Sequence, residues 1–245
     1  MPNSFFQFKQ FTVYHHRCAM KVTTDACLFG AWVAAEISRF NSSPDRLLDI
    51  GTGTGLLSLM VAQKNGGRID AVEIDLAASE QACENAGASL WKERISIIHR
   101  DVLQWQPPAF YDCIFSNPPF YEKELRSTTS ARNIAHHDEG LKLADLLLFI
   151  KKHLAKEGSF FLLLPAKRES EAERLFAEAD LFVQQKVRVQ QTLNHPPFRL
   201  MIQGCRKKVE TITQQTISIR NNDGDYTMEF VRLLQDYYLY LSMAS

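Results

Sequence analysis

The stretch LLDIGTGTGLLSLM, residues 47–60, limits the architectures open to this chain more than any other. A short apolar run ends at Ile50. Gly51, Gly53 and Gly55 follow at every second position, and a helical apolar pattern starts at once. A buried strand feeding a helix through a tight glycine turn is the repeating unit of a parallel α/β sheet. Glycines at such a turn also let the backbone approach a ligand closely. The spacing is G-x-G-x-G behind an acid, Asp49, whereas the dinucleotide fingerprint is G-x-G-x-x-G. A carboxylate at the mouth repels a pyrophosphate and attracts a cation, which argues against a nicotinamide oxidoreductase. Taken alone, the run also fits a plain tight turn.

The rest of the chain repeats the alternation. Strand candidates are residues 46–50, 68–74, 95–99, 111–116 and 158–165. Two later runs, 182–190 and 199–207, alternate apolar with polar residues, the pattern of half-exposed antiparallel strands. Helix candidates are 23–38, with Thr23 or Thr24 as N-cap, then 55–64, 76–91, 139–158 with Gly158 closing it, 167–179 and 226–241. The expected class is α/β, a mainly parallel sheet with helices on both faces.

Ligands of open parallel sheets bind at the carboxyl ends of the strands. The second strand ends at Glu73, placed to accept hydrogen bonds from ribose hydroxyls. The third leads to Asp101, within reach of an exocyclic amine, with Val102 beside it. An ordinary strand-end charge would explain either acid alone. Together with the glycine turn they fit a nucleoside that carries positive charge and no phosphate, which is S-adenosylmethionine. Asp49 with Gly51, Gly53 and Gly55 resembles motif I of the class I methyltransferases. Glu73 resembles that family's ribose-binding acid, and Asp101 its adenine-side acid.

The fourth strand ends on SNPPF, residues 116–120. Proline stops the ladder, so Asn117 stands at the mouth. A ring-conjugated amine is a poor nucleophile. The Asn117 amide oxygen and the carbonyl of Pro118 can each accept one of its N–H groups and leave the lone pair aimed at a methyl group. Pro119 stiffens the turn, and Phe120 can stack on the base. The run resembles the (D/N/S)-PP-(Y/F/W) motif of enzymes that methylate exocyclic or amide nitrogen. A bare turn with Phe120 plugging the core is the structural alternative.

The opening segment narrows the resemblance. Lys21-Val22-Thr23-Thr24-Asp25-Ala26 is similar to a stretch of the bacterial enzymes that methylate N6 of an adenosine beside the anticodon of a valine tRNA. The resemblance implies a Rossmann-like, seven-stranded sheet in the order 3-2-1-4-5-7-6. It also implies that Lys21, Thr24 and Asp25 close over the methionine end of the cofactor, whose carboxylate suits the helix N-terminus at Thr24, and that Asn117 touches cofactor as well as substrate. S-adenosylhomocysteine would be the product. The expected layout is one methyltransferase domain over 1–245: a basic segment and capping helix (1–40), a core (41–210) and a C-terminal extension with a helix (211–245). The other readings are a protein glutamine methyltransferase, which usually carries Tyr where this chain has Phe120, and a non-catalytic RNA-binding protein that holds the cofactor.

Charge adds a partner. Lys+Arg and Asp+Glu are 28 each, so the overall balance favours neither nucleic acid nor membrane. The segments 1–22 and 186–208 nevertheless contain no acid. They supply Lys9, Arg17, Arg188, Arg199, Lys207 and Lys208 as candidate phosphate contacts, or two solvated surfaces. Residues 121–140, with Lys123, Arg126, Arg132, His136 and His137, read as a lid or RNA-contact loop, and the loop between the last two strands is expected near the same mouth. No appended recognition domain is seen, so no DNA partner is expected.

The five cysteines lack zinc spacing, so no metal is expected, and Cys83 and Cys113 read as small core residues. No leader and no apolar run of membrane-spanning length is seen. A cytoplasmic monomer acting on tRNA is the expectation.

Overall fold

The computed structural model describes residues 4–118 and 141–241. The expectations for Pro119, Phe120, Lys123, Arg126, Arg132, His136, His137 and the 121–140 loop lie outside the described residues. The chain opens with a hairpin, β1 (Phe5–Gln7) and β2 (Thr12–Tyr14), followed by α1 (Thr24–Ile37). The alternating part is β3 (Arg46–Ile50), α2 (Leu56–Lys64), β4 (Arg68–Glu73), α3 (Leu76–Gly87), β5 (Ile95–His99), β6 (Tyr111–Ser116), α4 (Leu143–His153), β7 (Leu154–Pro165) and α5 (Glu169–Glu178). The last elements are β8 (Phe182–Gln190), β9 (Arg199–Cys205), β10 (Thr213–Ser218) and α6 (Met228–Leu234).

β5-β4-β3-β6-β7-β9-β8 is the strand order expected from the resemblance, and β10 extends it beyond β8. β3 to β7 pair in parallel, while β9 runs antiparallel to both β7 and β8. β8 and β9 are more buried than their alternating sequences suggest, because β10 shields what would otherwise be an outer edge.

Successive strand residues point to opposite faces, and the core divides accordingly. Leu47, Cys113, Phe115 and Phe161 join the apolar cluster built with α1 and α2. Their neighbours Leu48, Ile114, Phe160 and Leu162 join the cluster built with α4 and α5. Both faces of the central strands are covered, so they read as continuous apolar runs.

Several local expectations are corrected. α4 stops at His153, not near Gly158, because Leu154 turns extended and pairs with Tyr111. Gly158 lies inside β7, where an added Cβ would stand 2.9 Å from the Asp112 carbonyl oxygen. It answers a close backbone approach beside a register shift, not a helix end. The helix of the C-terminal extension covers only Met228–Leu234. Of the tyrosines beyond it, Tyr238 bridges to Phe8 and the Tyr237 hydroxyl donates to the Met60 carbonyl at 3.0 Å, whereas Tyr240 is exposed. Cys83 is exposed on α3, whereas Cys113 is buried in β6. No helix among the described residues is long and apolar enough to cross a membrane.

Candidate active site

The β3–α2 turn is fixed from below. Gly51 and Thr52 donate their N–H groups to the Val72 carbonyl at 2.9 and 3.1 Å. Gly51, Gly53 and Gly55 have φ of 70, 56 and 80°. At Gly53 a side chain would be strained by that φ, yet nothing lies within 4 Å of where its Cβ would be. The loop therefore presents bare backbone to open space at the carboxyl edge of the sheet.

Asp49 does not stand at the mouth, as its sequence position suggested. It is fully buried beneath the turn, where its Oδ2 accepts from the Thr52 hydroxyl at 2.6 Å and the Ser58 hydroxyl at 2.7 Å. Its Oδ1 is buried with no hydrogen-bond partner. Burial pushes the carboxyl up to about 6; the two hydroxyls oppose this and nearby Glu73 adds to it. A carboxyl raised on folding contributes stability at low pH that is lost as pH rises through the folded value. Wild type should thus lose up to about 3 kcal/mol between pH 4 and 7 from this group, and Asp49→Asn should flatten that slope. Urea unfolding of both proteins across this range measures it. Equal slopes would contradict the assignment.

Glu73, the last residue of β4, is 9% exposed. Its Oε2 accepts from the Gly53 N–H at 2.8 Å and its Oε1 from the Asp75 N–H at 2.9 Å. One carboxylate thus ties the glycine turn to the entry of α3, where Asp75 caps Ala78. At the neighbouring strand end, Arg100 donates its N–H to the Glu73 carbonyl at 2.9 Å. Asp101 follows, its carboxylate accepting from the Leu103 N–H and the Gln104 side chain. Val102 is buried in the same cluster as Ile50 and Val72.

The register Ile50↔Ser116 makes Gly51 and Asn117 the next residues on adjacent parallel strands. The buried Ser116 hydroxyl fixes that register by donating to the Ile50 carbonyl at 2.7 Å. Asn117 is half-buried and Pro118 is buried. The structure therefore brings Asn117, Gly51, Gly53 and Glu73 to one edge of the sheet.

The N-terminal segment closes on that edge through a residue that sequence reasoning missed. Asn85 on α3 is buried; its Nδ2 donates to the Tyr14 and Thr54 carbonyls, each at 2.8 Å, and its Oδ1 accepts from the Tyr14 N–H at 3.0 Å. Three bonds from one amide lock the hairpin to the glycine turn. Its one signal in the sequence is a polar side chain in the interior of a helical pattern. Asn85→Ala should cost about 2–3 kcal/mol and speed amide exchange in residues 5–14. Exchange confined to its wild-type rate there would contradict the lock.

Lys21 and Thr24 are exposed at the start of α1, and Asp25 is half-buried. Thr23 takes the N-cap position without capping through its side chain. Burial raises the Asp25 carboxyl, but hydrogen bonds from Thr23 and Arg199 outweigh it and hold the group below its ordinary value. The Arg199 Nε lies 2.7 Å from Asp25 Oδ2, a pairing of two residues to which the sequence reading gave separate roles.

Most of the other candidate phosphate contacts are likewise engaged within the chain. Arg188 pairs with Glu169, Lys207 with Glu157, and Arg17 with Glu84 at 3.0 Å. Lys9 donates to the Gln235 carbonyl at 2.6 Å, and Lys208 follows β9. Lys186 is buried between β8 and α5 against Glu169 and Glu173. The acid-free segments are basic in sequence, but their charge is largely matched by carboxylates from elsewhere in the chain.

Residues 35–186 match the methyltransferase small domain family. A tRNA1(Val) (adenine(37)-N6)-methyltransferase of Bacteroides thetaiotaomicron is 38% identical, over 98% of this chain and 100% of its own length. The enzyme of the same name from Dyadobacter fermentans is 41% identical, over 98% of this chain and 99% of its own. Among solved structures, a predicted O-methyltransferase from Agrobacterium tumefaciens superposes with a TM-score of 0.63, over 89% of this chain and 99% of that one. At 13% identity that likeness concerns the fold alone.

Proposed function

Because the chain belongs to the methyltransferase small domain family and, within it, to the tRNA1(Val) (adenine(37)-N6)-methyltransferases, we propose that it methylates the exocyclic N6 of adenosine 37 in that tRNA. The observation that carries the mechanism is the Ile50↔Ser116 register, which sets Asn117 against the glycine turn.

S-adenosylmethionine is the methyl donor, and when bound it supplies an electrophilic methyl group on a sulfonium. The residues present fit such a cation. The turn offers bare backbone at Gly51 and Gly53, and Asp49 keeps one buried oxygen without a partner beneath it. Glu73, Asp101 and Val102 would hold the nucleoside end, and Lys21, Thr24 and Asp25 the methionine end. A neighbouring positive charge favours the ionised form of Asp49, so cofactor affinity falls below pH 6.

Asn117 accepts one N–H of the target amine through its amide oxygen, and the Pro118 carbonyl accepts the other. These bonds draw the nitrogen toward a tetrahedral shape and aim its lone pair. As the nitrogen becomes positive, both acceptors strengthen, which is where the rate comes from. The proton leaves after the new bond has formed, so no strong base is required. The family resemblance assigns stacking on the adenine to Phe120, which lies outside the described residues.

An adenine beside an anticodon lies in a loop and is splayed out before reaction. Phosphate contacts through Arg188 or Lys207 then involve an exchange of their present carboxylate partners. Neutralising phosphates releases counterions, so binding falls as salt rises. The reading places the enzyme in the cytoplasm, with tRNA. Nucleoside mass spectrometry of purified valine tRNA from cells with and without the gene tests it. N6-methyladenosine should vanish from the tRNA in the cells without the gene. Its persistence would refute the proposal.

A further inference from the structure

Beyond β7, the same carboxyl edge holds a cavity of about 280 Å³, one wall of which is Thr24 and Asp25, the residues given above to the methionine end of the cofactor. Its walls come from four places: Asp25 at the head of α1, Gln191 after β8, Phe198 before β9, and Arg220 with Tyr226 around the turn after β10. β8 and β10 run parallel to each other and antiparallel to β9, so all these ends meet at the mouth that carries Asn117. Phe198 stands two strands from β6 in the sheet order, roughly 10 Å away by strand spacing.

The lining is built, not incidental. Phe198 follows two prolines and has its backbone tied on both sides: its N–H donates to the Val189 carbonyl at 2.9 Å, and its carbonyl accepts from Ala166 at 3.1 Å. The residue is nonetheless 37% exposed. The Arg220 guanidinium lies 4.3 Å from the centre of the Tyr226 ring and donates to the Gly224 carbonyl. Tyr226 in turn stacks on Phe230, with ring centres 4.6 Å apart. The Asp25 carboxylate is neutralised by Arg199, so this wall does not repel a phosphate. An exposed ring with the Arg199 guanidinium 5.7 Å from its centre, a second guanidinium at Arg220 and the side-chain amide of Gln191 are the groups that hold a single-stranded nucleotide: stacking for the base, charge for the phosphate and an amide for the base edge.

We propose that this cavity is a subsite for a nucleotide flanking the target adenosine, and that Phe198, Arg220 and Gln191 set the sequence context in which the adenosine is accepted. The subsite rests on the tRNA reading above. When the target base enters at Asn117, its neighbour in the splayed loop reaches Phe198. Filling the cavity anchors the strand and holds the loop open.

The test is steady-state kinetics of the full-length protein on an unmodified valine-tRNA transcript. Phe198→Ala should raise the tRNA KM roughly tenfold or more, the usual loss for one base stack. Gln191→Ala should raise it less. For both, kcat at saturating tRNA should stay within threefold, and the Kd for S-adenosylmethionine and the melting temperature should match wild type. An abasic residue beside the target should cost wild type a similar factor but cost Phe198→Ala little, because the two changes remove one contact. Wild-type KM in both variants, or equal abasic losses in wild type and Phe198→Ala, would overturn the subsite while leaving the tRNA reading intact. No methylation of tRNA by the wild-type protein would overturn the tRNA reading itself.

Discussion

Asn117→Ala should lower kcat about 10²- to 10³-fold and leave the Kd for S-adenosylmethionine within a few-fold of wild type. Loss of one preorganised group aimed at developing charge typically costs this much. The amide oxygen's bond to the substrate amine strengthens as the nitrogen becomes positive, so most of the loss should appear in kcat and less of it in tRNA KM. The backbone is not at risk, since the register is held by Ser116 and the Ile50 carbonyl and not by the Asn117 side chain. Asn117→Asp keeps an acceptor and should retain more activity than Ala. Rapid-quench transfer of a labelled methyl group separates the step from product release. Full activity of Asn117→Ala would remove the amide from the mechanism.

Glu73→Ala should weaken cofactor binding about 100-fold or more. This carboxylate is the proposed acceptor for the ribose hydroxyls, each such charge-assisted bond being worth about 1.5–3 kcal/mol, and it also holds the Gly53 and Asp75 N–H groups. Without it the glycine turn loses its tie to α3, and the nucleoside end loses its acceptor. Glu73→Gln keeps one oxygen acceptor and should fall between wild type and Ala. Titration calorimetry reads the effect without turnover. A Kd unchanged in Glu73→Ala would mean that the turn is set by Val72 alone and that the cofactor is held elsewhere.

The central strands were legible because both their faces are buried: the runs at 46–50, 95–99 and 111–116 match β3, β5 and β6 to the residue. Their order came from the family resemblance, not from the apolar pattern. β10 was missed because it is an edge strand: Thr213 to Thr216 are exposed and polar, so no apolar alternation marks them. β1 and β2 have three residues each, too few for a periodic signal. The α4 boundary was misplaced because Lys151 to Glu157 contains no helix breaker. There the pairing of Leu154 with Tyr111 overrides local propensity.

The site divides in the same way. The placement of Glu73, Asp101 and Asn117 was legible because strand ends in an open parallel sheet share one edge. The burial of Asp49 was not, because a single sequence does not tell whether a strand-end acid faces solvent or the underside of the next turn. The ion pairs of Arg188 and Arg199 were hidden for a related reason. Their partners Glu169 and Asp25 are distant in sequence and meet them only after the sheet has formed. An acid-free segment is therefore weak grounds for an open basic face.

The central claim is that the glycine turn and Asn117 share one opening, so that a methyl group passes from S-adenosylmethionine to an exocyclic adenine nitrogen. Purified protein incubated with unmodified valine tRNA and S-adenosylmethionine carrying an isotope-labelled methyl tests it most directly, with the digested RNA read by mass spectrometry. The account predicts one labelled N6-methyladenosine per tRNA, located at position 37 and absent when that adenosine is replaced by guanosine. Label on a ring nitrogen, on a ribose or on protein glutamine would contradict it.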